Sequence, residues 1–166
     1  MKNIRNLSII FLLAESLSMV SDDHVASTSL FVEGYAGRVS YQHGEQVTLH
    51  VSTTATNYSV EVARLGAKRE VVLTKGEIPG ALHLVPENAS SHGCGWPVSF
   101  KFNLPETWTS GYYQVTLRVS DRGGPYVQRN RRTAEGECFF VVRPSQPGLR
   151  TRILLQLASN TYNAYN

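Results

Sequence analysis

From Phe31 onward, apolar residues recur at every second position. Val47, Leu49 and Val51 alternate with Thr48, His50 and Ser52. Successive side chains of a strand point to opposite faces, so this spacing describes a strand with one buried and one wet face. The same alternation returns at Tyr58-Ser-Val60-Glu-Val62, at Val98-Ser-Phe100-Lys-Phe102, and at Tyr113-Gln-Val115-Thr-Leu117-Arg-Val119. Four such segments argue for antiparallel sheet with one face turned to the core.

Turn signals punctuate the chain at short intervals: His43-Gly44-Glu45, Leu65-Gly66-Ala67, Pro79-Gly80, Ser110-Gly111 and Asp121-Arg-Gly-Gly-Pro125. Glycine supplies turn backbone freely, and proline cannot donate to a ladder. No helix of useful length competes. The last strand is expected at Glu137 to Val142, apolar on both faces as a central strand would be. Seven or eight strands so spaced predict an all-β fold, an immunoglobulin- or fibronectin-like antiparallel β-sandwich. In such a sandwich Trp108 and Tyr113 belong to the core, with Tyr113 placed as the tyrosine that anchors a strand corner. The sandwich is expected over residues 30–144. Arg143-Pro-Ser-Gln-Pro147-Gly148 cannot continue a ladder, which makes 145–150 a linker. Arg152-Ile-Leu-Leu-Gln-Leu157 then reads as a first buried parallel strand, so 151–166 is expected to be the stump of an α/β domain and the chain the front portion of a longer protein.

A length of 166 residues suits one domain with tails. Hydrophobic residues make up 42% and charged residues 17%, a balance that folds rather than staying disordered. The net charge of +3 is spread singly, apart from Arg129, Arg131 and Arg132 at an expected hairpin tip, so nucleic acid is not an expected partner. Residues 1–29 form a leader. Lys2 and Arg5 precede the apolar stretch Leu7 to Leu13 as in a signal peptide, but Glu15 interrupts it and no clean cleavage site follows, which leaves secreted, periplasmic and cytoplasmic locations open. No apolar run approaches the roughly 20 residues of a membrane span. Cys94 and Cys138 allow one disulfide or two thiols, a choice that the separation of their backbones decides. Asn57-Tyr58-Ser59 and Asn88-Ala89-Ser90 fit the glycosylation triplet, a pattern common by chance.

Residues able to carry chemistry are scattered. His83, His92 and Cys94 have irregular spacing for a metal set, and loop polar residues account for them as well. His50 is expected on a wet strand face, with His24 and His43 in tail and turn. Ser91-His92 lacks a nucleophile elbow. Asp22-Asp23 sit in the leader, while Glu135 and Glu137, flanking Gly136, are expected at a solvated hairpin end rather than as an acid-base pair. Exposed Trp96, Tyr112 and Tyr126 could stack on sugar rings, and this keeps an autonomous glycan- or surface-binding module as the rival reading.

Several phrases occur together: Gly34-Tyr35, Gly44-Glu-Gln-Val-Thr-Leu-His-Val-Ser52, Pro105-Glu-Thr-Trp108-Thr-Ser-Gly111-Tyr-Tyr113, Phe140-Val-Val-Arg-Pro144 and, most specific, Asn160-Thr-Tyr-Asn-Ala-Tyr-Asn166. In this layout, from about Phe31 to Asn166, the chain resembles the large (beta) subunit of N,N-dimethylformamidase and its relatives. The resemblance implies a β-sandwich ahead of an α/β domain of glutamine-amidotransferase-like shape that hydrolyses a small amide with iron held by two tyrosines and a glutamate. By motif position Tyr165 is the candidate for one iron-ligating tyrosine. A ferric site needs several hard oxygen ligands from separate elements, so this chain by itself is expected to hold no cofactor and no catalytic residues. Its expected role is to position the α/β domain, present in the same polypeptide or reached through a homo-oligomer.

Overall fold

The computed structural model describes residues 29–122, 131–149, 156 and 158. Eight strands and one helical turn follow in order: β1 (Val32–Ala36), β2 (Ser40–Tyr41), β3 (Gln46–Thr53), β4 (Asn57–Leu65), β5 (Arg69–Pro79), α1 (Ala89–His92), β6 (Phe100–Asn103), β7 (Gly111–Arg122) and β8 (Arg131–Val142). They form two sheets packed face to face. The smaller has the order β1-β3-β6 and the larger β2-β8-β7-β4-β5. All neighbours run antiparallel except β2, which lies parallel to β8. The expected strands at 47–51, 58–62 and 113–119 fall inside β3, β4 and β7.

The core is built from the alternating positions. Val47, Leu49 and Val51 of β3 face Val60 and Val62 of β4, Val115 and Leu117 of β7, and Phe140 and Val142 of β8, all essentially inaccessible to solvent. Each such side chain contributes about 1.5–3 kcal/mol on leaving water. An aromatic column closes one end: Trp108 stacks on Tyr113 at 5.1 Å, and Tyr113 on Phe140 at 5.5 Å. The Tyr113 hydroxyl donates to the Thr109 carbonyl at 2.6 Å, so this residue pins the corner as its place in the pattern predicts.

On the β1 and β8 side the sheets nearly touch. A Cβ on Gly136 would come within 2.2 Å of the Val32 carbonyl, well inside any real contact, so only glycine lets β1 lie this close to β8.

Four details depart from the sequence reading. Strand β5 was not among the expected strands, and it carries two bulges that break its alternation. The 98–102 segment begins pairing only at Phe100. Upstream of it the Ser99 hydroxyl both accepts from the Val51 amide and donates to the Val51 carbonyl, standing in for a ladder residue. Strand β8 starts at Arg131 rather than Glu137, so Glu135 and Glu137 lie within a strand, not at a hairpin end. The β2–β8 pair adds one parallel contact to an otherwise antiparallel sandwich.

Candidate functional site

The outer face of the larger sheet divides into two halves. Register places Ala63 and Leu65 of β4 beside Gln114 and Tyr112 of β7, with Phe139 and Val141 of β8 on one side and Val71 of β5 on the other. Tyr112 and Phe139 stack at 5.1 Å across this surface. Ala63 is fully covered although it faces away from the core, whereas Leu65 and Val71 are 37% and 48% exposed. Apolar side chains on the outer face of a sheet point to a packing surface. This one lies at the end of the sheet where β8 finishes at Val142 and the chain leaves the sandwich.

The other half is charged. Glu61 accepts from Arg69 at 2.5 Å, sits 3.4 Å from Arg118, and Arg118 Nε donates to Glu135 at 2.8 Å. Four strands are thereby tied by alternating charges. Arg69 and Arg118 hold the Glu61 carboxyl below the usual carboxylate range, while its Glu135 partner raises the Arg118 guanidinium. Beyond this ladder a recess of about 300 Å³ opens between the β3–β4 turn, β5 and β7.

The smaller sheet is roofed by the 80–99 segment. Tyr35 and His50, opposite each other on β1 and β3, stack at 4.8 Å. His50 Nδ1 donates to the Trp96 carbonyl at 2.6 Å, the Tyr35 hydroxyl accepts from the Trp96 amide, and Trp96 Nε1 donates to the Leu84 carbonyl. Nearer the turn, the Ser52 hydroxyl bonds both the amide and the carbonyl of His83. His50 therefore lies under a lid rather than on a wet face. His43 likewise ties its turn to the Trp108 carbonyl at 2.5 Å.

The residues singled out by sequence separate. His83 packs near Trp96 at 6.4 Å, His92 bonds Ser91 on the exposed helical turn, and Cys94 lies in the loop that follows. Among the described residues no three His, Cys, Asp or Glu side chains stand close enough to share a metal ion. Cys94 and Cys138 are free thiols; Cys138 faces the core opposite Val115, and burial pushes its thiol up to about 12. Trp96, Trp108 and Tyr113 are buried, so none of them offers a stacking platform. Glu135 pairs with Arg118 on the sheet surface and is not placed for acid-base work. Tyr126, Arg129, Asp22, Asp23, His24, Tyr165 and residues 1–28 of the leader lie outside the described residues. Sequence reasoning did not assign Leu65 and Val71 to this face, because they sit on turn and bulge positions that break the period of two.

Residues 56–166, more than half of the chain, match the family model described as N,N-dimethylformamidase beta subunit-like, C-terminal. The match takes in β4 to β8 and the tail. A search of curated proteins gives no match. Among solved structures, the crystal structure of Spo0M, a sporulation control protein from Bacillus subtilis, aligns with a TM-score of 0.37 and 14% identity over 69% of this chain and 49% of that one. The chain thus spans about half the length of that structure.

Proposed function

Because this chain belongs to the N,N-dimethylformamidase beta subunit-like, C-terminal family, we propose that it is a non-catalytic sandwich module of a small-amide hydrolase, which packs against and positions a catalytic α/β domain. The observation that carries the reading is the apolar half of the larger sheet's outer face, set beside the point where the chain runs on past Val142. A sheet face of this kind is covered when a second layer packs on it. On this reading the sandwich occupies residues 30–144, with the immunoglobulin-like arrangement of a short strand beside β8 and a tyrosine corner at the start of β7. Residues 145–150 are the linker and 151–166 begin the next domain. The partner is that domain, in the same polypeptide or supplied by a second copy.

On this reading iron would belong to the catalytic domain, with Tyr165 as one candidate ligand. Among the described residues no His, Cys, Asp or Glu cluster offers an alternative metal site.

The test uses Leu65→Glu/Val71→Glu. Both side chains lie outside the core, so the fold should survive. Sedimentation velocity of the 166-residue chain should show concentration-dependent association that the double variant abolishes. A chain that stays monomeric at all concentrations, or association unchanged in the variant, would contradict the reading.

A further inference from the structure

The recess at the charged end of the larger sheet is a separate feature. It is bounded by Thr54 and Thr56 of the β3–β4 turn, Asn57 and Ser59 of β4, Glu77 of β5, and Arg118 and Ser120 of β7. Its volume of about 300 Å³ lies at the lower end of the range for small-molecule sites. Its walls are hydroxyls, a carboxamide, a carboxylate and a guanidinium. Asn57 Nδ2 donates to Glu77 Oε2 at 3.1 Å, which leaves a donor and an acceptor side by side at the mouth.

Glu77 is the single non-glycine residue among those described with positive φ, at 54°. That backbone disfavours any residue with a Cβ, and glycine or asparagine would adopt it at lower cost. The bulge in β5 accounts for the turn of the backbone but not for the presence of a glutamate there, directly after Gly76. Strain of this sort is retained where a side chain is needed in place.

Charge narrows what the recess can take. Arg118 is already engaged by Glu61 and Glu135, so the Glu77 carboxylate leaves the local balance negative and disfavours acids and phosphates. The scarcity of apolar lining disfavours lipids and aromatic compounds. We propose that this recess is a binding site for a neutral vicinal diol, one sugar ring of a glycan, with the Asn57 amide donating to one hydroxyl and the Glu77 carboxylate accepting from its neighbour. It lies at the opposite end of β4 from Leu65 and does not depend on the docking role.

The test is titration of the isotopically labelled chain with methyl glycosides of glucose, mannose and galactose, followed by amide chemical shifts, with sodium lactate as an acidic control. At least one glycoside should give saturable shifts at Asn57, Ser59, Gly76, Glu77 and Ser120, with Kd on the order of 1 mM for so few hydrogen bonds. Lactate should give none. Asn57→Ala and Glu77→Gly should lose the shifts, and Glu77→Gly should at the same time raise the thermal midpoint by about 2 °C by relieving the backbone. The proposal is overturned if no glycoside gives saturable shifts, if they persist in Glu77→Gly, or if that variant melts lower than the parent.

Discussion

The two cysteines show how far single residues were readable. Their count and spacing left both a bridge and a pair of thiols open, because the deciding quantity is the separation of two backbones that sequence does not contain. Cys138 lies in the sheet against Val115, with its ionisation suppressed by burial, and Cys94 lies in a surface loop. A thiol reagent attacks the thiolate, so at pH 8 the native chain should react quickly at Cys94 and slowly or not at all at Cys138, with both reacting in denaturant. Mass spectrometry after brief alkylation reads this directly. No labelling in the native or the denatured, unreduced state would instead show a disulfide. Tyr113 and Trp108 were legible because their place before an alternating strand fixes their role. Gly136 and Glu77 were not, since a close approach and a positive φ exist only once the strands are assembled.

Strands with a clean period of two were found at the right positions, and the misses share a cause. In β5 the bulges opposite β4 shift the pattern twice, so Val71, Val72 and Leu73 do not alternate. In β8 the ladder takes Glu135 on the outer face and the close approach of β1 takes Gly136 on the inner one, so this part of the strand shows no apolar alternation. That ladder has a measurable pH signature. The folded pKa of Glu61 lies below its ordinary 4.5, held down first by its hydrogen bond to Arg69. The stability it adds is therefore present above about pH 4.5 and lost as pH falls through the lower folded value. Glu61→Gln should destabilise the chain at pH 7 by roughly 0.2–1 kcal/mol, the range for exposed ion pairs, with a smaller difference from the parent at pH 4 than at pH 7. Urea denaturation at the two pH values checks this. A difference that does not change with pH would assign the effect to packing instead.

At the scale of the molecule, the sandwich was legible because strand period and turn spacing together leave few other folds, while its role was not. The family match covers β4 to β8, which include the four strands that carry the apolar outer surface, and leaves out the Val32–Thr53 portion of the fold. A core can be inferred from alternation, but this surface patch is assembled from two strand pairs, β4–β5 and β7–β8, distant in sequence. Leu65, Val71, Tyr112 and Val141 meet only through register. The claim that this patch is a docking face is tested most directly by amide hydrogen exchange of the 166-residue chain at low and high concentration. If the account holds, association slows exchange at residues 63–65, 69–72 and 111–114 and leaves β1 and β6 unchanged. Protection that appears instead at the edges of the smaller sheet or in the 80–99 segment, with none on the larger sheet, would contradict it.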